Sequence, residues 1–138
     1  MNNNSKLMKI FYIFLIFITF IGCDDKDNWI PNVRVEESID LIQLAGLGHH
    51  QARYWEGGVN GLIIFRTGNT DFNAFDRMCP YEISVNCSVD IKDEMFAECP
   101  CCGSKFSLGL SALMKGPARH PLKQYRTMVQ GNRLMITN

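Results

Sequence analysis

The chain has 138 residues, with 14 basic and 14 acidic side chains, a formal net charge of zero, and 46% hydrophobic residues. That balance leaves no electrostatic footprint for nucleic acid. There is no repeat, low-complexity tract or long charge run, and the length fits one domain with a core of its own.

The N-terminal segment reads as a targeting signal. Residues 1–9 are polar and basic, with Lys6 and Lys9, and Ile10 to Ile21 is an apolar run broken only by Thr19. A basic start, a short apolar segment and a small residue at the cut site describe a secretory signal, and the run is short of the ~20 residues that a permanent membrane span needs. Gly22-Cys23 ends it. The pattern resembles a lipoprotein cleavage box, with Phe20 where leucine is usual, so residues 1–22 are expected to be removed and Cys23 to carry the lipid. Residues 23–28, including Asp24-Asp25-Lys26-Asp27-Asn28, form a polar tether. The mature chain keeps 116 residues, 12 of them basic and 14 acidic. This predicts a protein held to a membrane outside the cytoplasm, with the folded domain in residues 29–138.

That domain reads as all-β. Val33, Val35, Ile39 and Leu41 lie on a broadly alternating segment. Ala52 to Glu56 ends at the turn signal Gly57-Gly58. Leu62-Ile63-Ile64-Phe65 is a short apolar run of strand type between Gly61 and Gly68-Asn69. Phe72 to Arg77 is a further strand. Ile83, Val85, Cys87, Val89 and Ile91 alternate, which predicts a strand with Cys87 facing the same way as its apolar neighbours. Lys92-Asp93-Glu94 is expected to turn, Met95 to Glu98 and Lys105 to Ser107 to be strands, and Gly109 to Ala118 to be a loop. Tyr125 to Val129, Gly131-Asn132 and Arg133 to Thr137 make a closing hairpin. Many short strands at this spacing predict a sandwich or small barrel.

The chemistry-bearing residues are cysteines. Cys79-Pro80-Tyr81 and Cys99-Pro100-Cys101-Cys102-Gly103-Ser104 form two boxes, with 17 residues between Tyr81 and Cys99. Two cysteine loops at this distance point to one metal centre held between them. Cys99 and Cys102 have the i, i+3 spacing of a zinc knuckle, which Cys79 and Cys87 would complete as a four-cysteine set. In an oxidising compartment the same cysteines form disulfides.

The two boxes, the Phe72-Asn73-Ala74-Phe75-Asp76-Arg77 lead-in, the Lys105-Phe106 exit and Gly116-Pro117-Ala118 together resemble the Rieske domain over essentially the whole mature chain. Its pattern is Cys-x-His, a spacer, then Cys-x-x-His, with a proline loop covering the site. The resemblance implies a small antiparallel β fold and electron transfer through a [2Fe–2S] cluster. Carried over residue by residue, it makes Cys79 and Cys99 the thiolate ligands and puts Tyr81 and Cys102 in the histidine places. Cys102, with Tyr81, Cys87 or His120 as the fourth ligand, would then hold the second iron. More thiolate and less imidazole lowers the reduction potential and removes proton coupling. The resemblance also matches Cys101 to a loop-bridging disulfide. The usual partner position is Ser84 here, and Cys87, three residues on, could serve instead if the loop differs in shape. Ser104 and Pro117 match residues packed around the cluster. The signal lacks twin arginines, so the chain is expected to cross the membrane unfolded. That favours zinc or disulfides, acquired outside, as alternatives to the cluster.

Other features carry less. His49-His50 is a polar pair in a glycine-rich loop, and Trp29 and Trp55 are expected to pack at the core or an edge. Lys115, Arg119, Lys123 and Arg126 form a solvated face. No nucleophile box, phosphate loop or paired-carboxylate motif is present, so no enzymatic activity is expected. A redox partner protein is implied by electron transfer but not named by the sequence.

Overall fold

The structure, a computed structural model, describes residues 30–81, 83 and 87–138. The signal, Cys23, the tether and Trp29 lie outside the described residues, as do Glu82, Ser84, Val85 and Asn86.

Among the described residues, ten strands form two antiparallel sheets. They are β1 (Glu36–Asp40), β2 (Ala52–Trp55), β3 (Leu62–Arg66), β4 (Phe72–Asp76), β5 (Asp90–Asp93), β6 (Phe96–Glu98), β7 (Lys105–Ser107), β8 (Ala112–Lys115), β9 (Gln124–Gln130) and β10 (Arg133–Thr137). A 3₁₀ turn, Leu41–Leu44, follows β1, its first turn capped by the Asp40 carboxylate accepting the Ile42 N–H. The larger sheet has the order β1-β10-β9-β4-β3-β2, and the smaller has β5-β6-β7-β8. The small sheet is thus one continuous excursion between β4 and β9. The all-β antiparallel class expected from the sequence is what forms.

The Leu62-Ile63-Ile64-Phe65 run explains the layering. All four side chains of this run are fully buried. Alternate residues of a strand face opposite sides. Leu62 and Ile64 join a cluster with Ile39, Tyr125, Leu134 and Ile136. Ile63 and Phe65 join the other, with Phe75, Val89, Phe106 and Leu108. This second cluster lies between the sheets and also contains Cys79, Cys87 and Cys99.

Arg77 fastens the sheets together. Its Nε donates to the Val89 carbonyl at 3.0 Å, its Nη2 meets Asp90 at 3.1 Å, and its guanidinium sits 4.2 Å from the Tyr54 ring centroid. The Tyr54 hydroxyl accepts the Ile91 N–H at 2.7 Å. The ends of β2 and β4 are thereby tied to β5.

Three expectations are corrected. Ala112–Lys115, expected within a loop, is strand β8, because β7 offers it a paired edge. Within the strand predicted across Ile83 to Ile91, the described residues Ile83 and Cys87 are not strand, Ser88 bridges to Met78, and β5 starts at Asp90, while Val85 lies outside the described residues. Cys87 and Val89 nevertheless share one apolar cluster with Ile91 packed against it, as the alternation implied. The turn expected at 92–94 falls at Glu94 and Met95, since Lys92 and Asp93 are still in β5.

Candidate metal centre

The small sheet presents three loops at one end. The first, between β4 and β5, carries Cys79, Pro80, Tyr81 and Cys87. The second, between β6 and β7, carries Cys99 to Ser104. The third, between β8 and β9, carries Gly116 to Lys123.

Local backbone bonds shape the second loop. The Cys99 N–H donates to the Ser104 carbonyl at 2.9 Å, and the Gly103 N–H donates to the Cys99 carbonyl at 2.8 Å. Gly103 has φ +73°, the left-handed conformation in which glycine has no Cβ penalty. The turn brings Cys99 and Cys102 together and leaves Cys101 exposed. In the first loop the Cys79 N–H donates to the Cys87 carbonyl at 3.0 Å, which folds the segment back on itself.

Asp76, at the end of β4, sets where that loop starts. It is fully buried. Its carboxylate accepts N–H groups from Val59 at 2.6 Å, Asn60 at 3.3 Å and Met78 at 2.8 Å, and the Tyr125 hydroxyl at 2.8 Å. A buried carboxylate with this many donors is well compensated. In the sequence it was only part of the lead-in. Its signal was an acidic residue directly after the apolar pair Ala74-Phe75 at the end of the strand.

Three thiols converge. The sulfur atoms of Cys79, Cys99 and Cys102 all lie within 4.8 Å of one another, and Cys79 Sγ is 3.6 Å from Cys102 Sγ. Cys79 and Cys99 are buried, and Cys102 is half-buried. Cys87 and Cys101 form a disulfide with an S–S distance of 2.00 Å. While that bond is in place Cys87 offers no thiolate, so its two anticipated roles, ligand and disulfide partner, exclude each other in this state.

The thiols differ in acidity. Burial, with a hydrogen bond to Cys99, pushes the Cys79 thiol up to about 12, although the Tyr81 backbone acts against it. Burial opposes ionisation of Cys102 as well. There it is outweighed by the Ser104 hydroxyl and backbone and by the Cys99 and Cys79 thiols, so Cys102 lies below the ordinary thiol value. Cys102 therefore ionises more readily than Cys79.

Ser104 is fully buried beside it. Its hydroxyl oxygen is 3.1 Å from Cys102 Sγ and accepts the Ala118 N–H at 2.9 Å. Ala118 is buried in the same cluster as Cys79 and Cys99, whereas Pro117 is exposed. The third loop therefore touches the site through Ala118, a residue that was noted only as part of the loop. Tyr81 is 46% exposed, at the rim. His120 is exposed and belongs to neither sulfur cluster. His49 and His50 are also exposed, with the His50 ring tilted over Phe65.

Solved structures share this fold. The cyanobacterial plasma membrane Rieske protein PetC3 from Synechocystis PCC 6803 superposes with a TM-score of 0.55 at 24% identity, over 78% of this chain and all of that one. The chain has the Rieske fold. The ferredoxin of carbazole 1,9a-dioxygenase from Nocardioides aromaticivorans IC177 gives a TM-score of 0.51 at 17% identity, over 77% of this chain and 98% of that one. A Sphingomonas yanoikuyae B1 ferredoxin gives 0.53 at 17%, over 75% and 99%. No family model and no curated protein matches the sequence.

The Rieske scaffold here has an altered donor set. A Rieske centre takes two cysteines on one iron and two histidines on the other. The three thiols fit the thiolate half and supply one donor more. The imidazole half does not fit, because no histidine joins the sulfur clusters among the described residues.

Proposed function

We propose that this chain is a Rieske-type electron-transfer domain of the cell envelope, lipid-anchored through Cys23 to the inner or outer membrane outside the cytoplasm, with an iron–sulfur centre held by Cys79, Cys99 and Cys102. One observation carries the reading. Thiols from both cysteine loops converge within 4.8 Å at the end of the small sheet. An iron–sulfur centre supplies one-electron transfer, and thiolate in place of imidazole favours a lower potential without proton coupling.

The protein's own residues would divide the work. Cys79 and Cys99 are buried and exclude water from the inner side. Half-buried Cys102 faces the rim, where a redox partner protein can approach. The Ser104 hydroxyl steadies negative charge on Cys102, and Ala118 seals the third loop over Ser104. Residue chemistry supports no enzymatic role, since the site offers thiols and no general acid–base pair.

A single zinc ion is the second reading, favoured by the 3.6 Å separation of Cys79 Sγ and Cys102 Sγ. Two sulfurs on one tetrahedral zinc lie about 3.8 Å apart, given a Zn–S bond of about 2.3 Å.

Protein purified from its native envelope separates the two. Iron, acid-labile sulfide and visible absorption bands establish the first. A colourless protein with one equivalent of zinc establishes the second. Metal-free protein with the three thiols intact overturns both.

A further inference from the structure

The described cysteines form two overlapping triplets. The first is Cys79, Cys99 and Cys102, and the second is Cys87, Cys99 and Cys101. Cys99 is common to both, and its sulfur lies 3.6 Å from Cys87 Sγ. The Cys87–Cys101 disulfide therefore abuts the three-thiol site.

Its two ends differ. Cys87 is 4% exposed and packs inside the inter-sheet cluster, whereas Cys101 is exposed. A thiol reductant reaches the Cys101 sulfur first. Attack there makes Cys87 the leaving thiolate, released 3.6 Å from Cys99. The Cys79 N–H bond to the Cys87 carbonyl, at 3.0 Å, keeps this stretch of backbone beside the site. The released Cys87 thus stands beside Cys99, the sulfur that the two triplets share. Cys101 is the exposed member of the second triplet and lies outside the Cys79, Cys99 and Cys102 group.

We propose that the Cys87–Cys101 disulfide is a redox gate on the metal site. With the bond closed, three thiols bind a soft divalent cation of the zinc class and the fourth position stays open. With the bond opened, Cys87 completes a closed four-thiolate tetrahedron. The step balances as a two-electron exchange with a protein dithiol. The dithiol forms its own disulfide, and Cys87 and Cys101 each end as a thiol. An open position belongs to exchangeable sites and a closed one to structural sites. The gate thus switches the centre from labile to tightly held. This inference rests on the three-cysteine metal site proposed above.

The test uses the full chain in detergent and zinc alone as the probe. Affinity is measured by chelator competition before and after a phosphine reductant, with thiol alkylation counting the opened bond. Reduction should tighten zinc binding by on the order of tenfold or more, as one further thiolate joins the site. Cys101→Ser should bind like the reduced protein without any reductant. Cys87→Ser should stay at the weaker level with or without it. Equal zinc affinity of the oxidised and reduced wild-type protein overturns the gate while leaving the metal site standing, and this comparison needs no variant to fold. Tightening on reduction that survives in Cys87→Ser also overturns it. Zinc binding by neither form overturns the zinc reading on which the gate rests.

Discussion

Ser104 and Ala118 lock two loops of the site together, the buried Ser104 hydroxyl accepting the Ala118 N–H at 2.9 Å while lying 3.1 Å from Cys102 Sγ. One oxygen both pins the third loop and favours the Cys102 thiolate. Ser104→Ala deletes both bonds and leaves a buried N–H without its partner, which costs about 1–3 kcal/mol. In metal-free protein the Cys102 thiol should also return toward its ordinary value. Alkylation of Cys102, followed by peptide mapping across pH, should show its profile moved to higher pH. A lowered melting point with an unmoved profile would refute the link between Ser104 and Cys102.

Tyr125→Phe tests the buried carboxylate. The variant loses the hydroxyl donor to Asp76, a charge-assisted bond worth about 1.5–3 kcal/mol. Three backbone N–H groups remain on that carboxylate. Burial, and then Asp76, hold the Tyr125 proton well above the ordinary tyrosine value of 10.0. The unfolded chain therefore releases this proton at lower pH than the folded chain does. The contribution is complete below about pH 10 and declines as pH rises beyond it. Urea midpoints should show the wild-type advantage over Tyr125→Phe shrinking above that pH. An advantage that stays constant to high pH contradicts the assignment.

Particular residues show how much of this was legible in the sequence. The Leu62-Ile63-Ile64-Phe65 run announced a strand by its length and bounding glycines. Nothing local said that its two faces serve two different cores, because that depends on β4 and β9 on one side and the small sheet on the other. Ala112–Lys115 failed as a strand signal. Ser111 before it has φ +50°, Met114 is exposed, and the strand owes its existence to pairing with β7. The segment from Ile83 promised a continuous strand, whereas Ile83 and Cys87 stand outside β5. Its alternation was real at Cys87, Val89 and Ile91, but the disulfide and the Cys79 bond draw Cys87 into the loop. At the site, the spacing of Cys79, Cys99 and Cys102 was enough to group them. The bonds that set their acidity and position join residues 14 positions apart in Ser104 and Ala118, and 49 apart in Asp76 and Tyr125. Only the folded chain reveals such pairs.

The disulfide also stabilises the metal-free domain. Cys87 and Cys101 are separated by 14 positions. Closing a loop of about 15 residues is worth about 3 kcal/mol in the chain-entropy description. The Cys87→Ser, Cys101→Ser double variant should lose about that much in chelator-treated protein. Reductant should lower the wild-type denaturation midpoint to a similar degree and leave the double variant unmoved. A reductant effect on the double variant would place the stabilisation elsewhere.

The expected lipid on Cys23 is checked by fractionation. Cys23→Ala should move the protein out of the membrane fraction, or leave it with the signal uncleaved. Intact mass of the wild-type mature N-terminus should exceed that of the bare peptide by the acyl groups. An unchanged membrane fraction in the variant argues against the anchor.

Gly58 gives the sharpest test of the Asp76 tether. Its φ is +66°, and a Cβ built there would stand 2.5 Å from Asp76 Oδ2 and 3.0 Å from Leu62 Cδ2. The carboxylate oxygen has little room to yield, because the Val59 N–H holds it at 2.6 Å and the Tyr125 hydroxyl at 2.8 Å. Gly58→Ala must therefore pay for a left-handed alanine, about 1–2 kcal/mol, and also strain or break a charge-assisted bond worth about 1.5–3 kcal/mol. The expected loss is about 3–5 kcal/mol on those terms together. Gly131→Ala is the matched control. Gly131 has φ +59° and nothing within 4 Å of its added Cβ, so only the conformational part applies. Chemical denaturation of the two variants should differ by the steric part alone. In a Tyr125→Phe background the bond to the hydroxyl is already gone, and the loss from Gly58→Ala should shrink, since residues sharing one network are not additive. Equal losses at Gly58 and Gly131, or full additivity with Tyr125→Phe, would show that the Asp76 carboxylate is not held as rigidly as its hydrogen bonds imply.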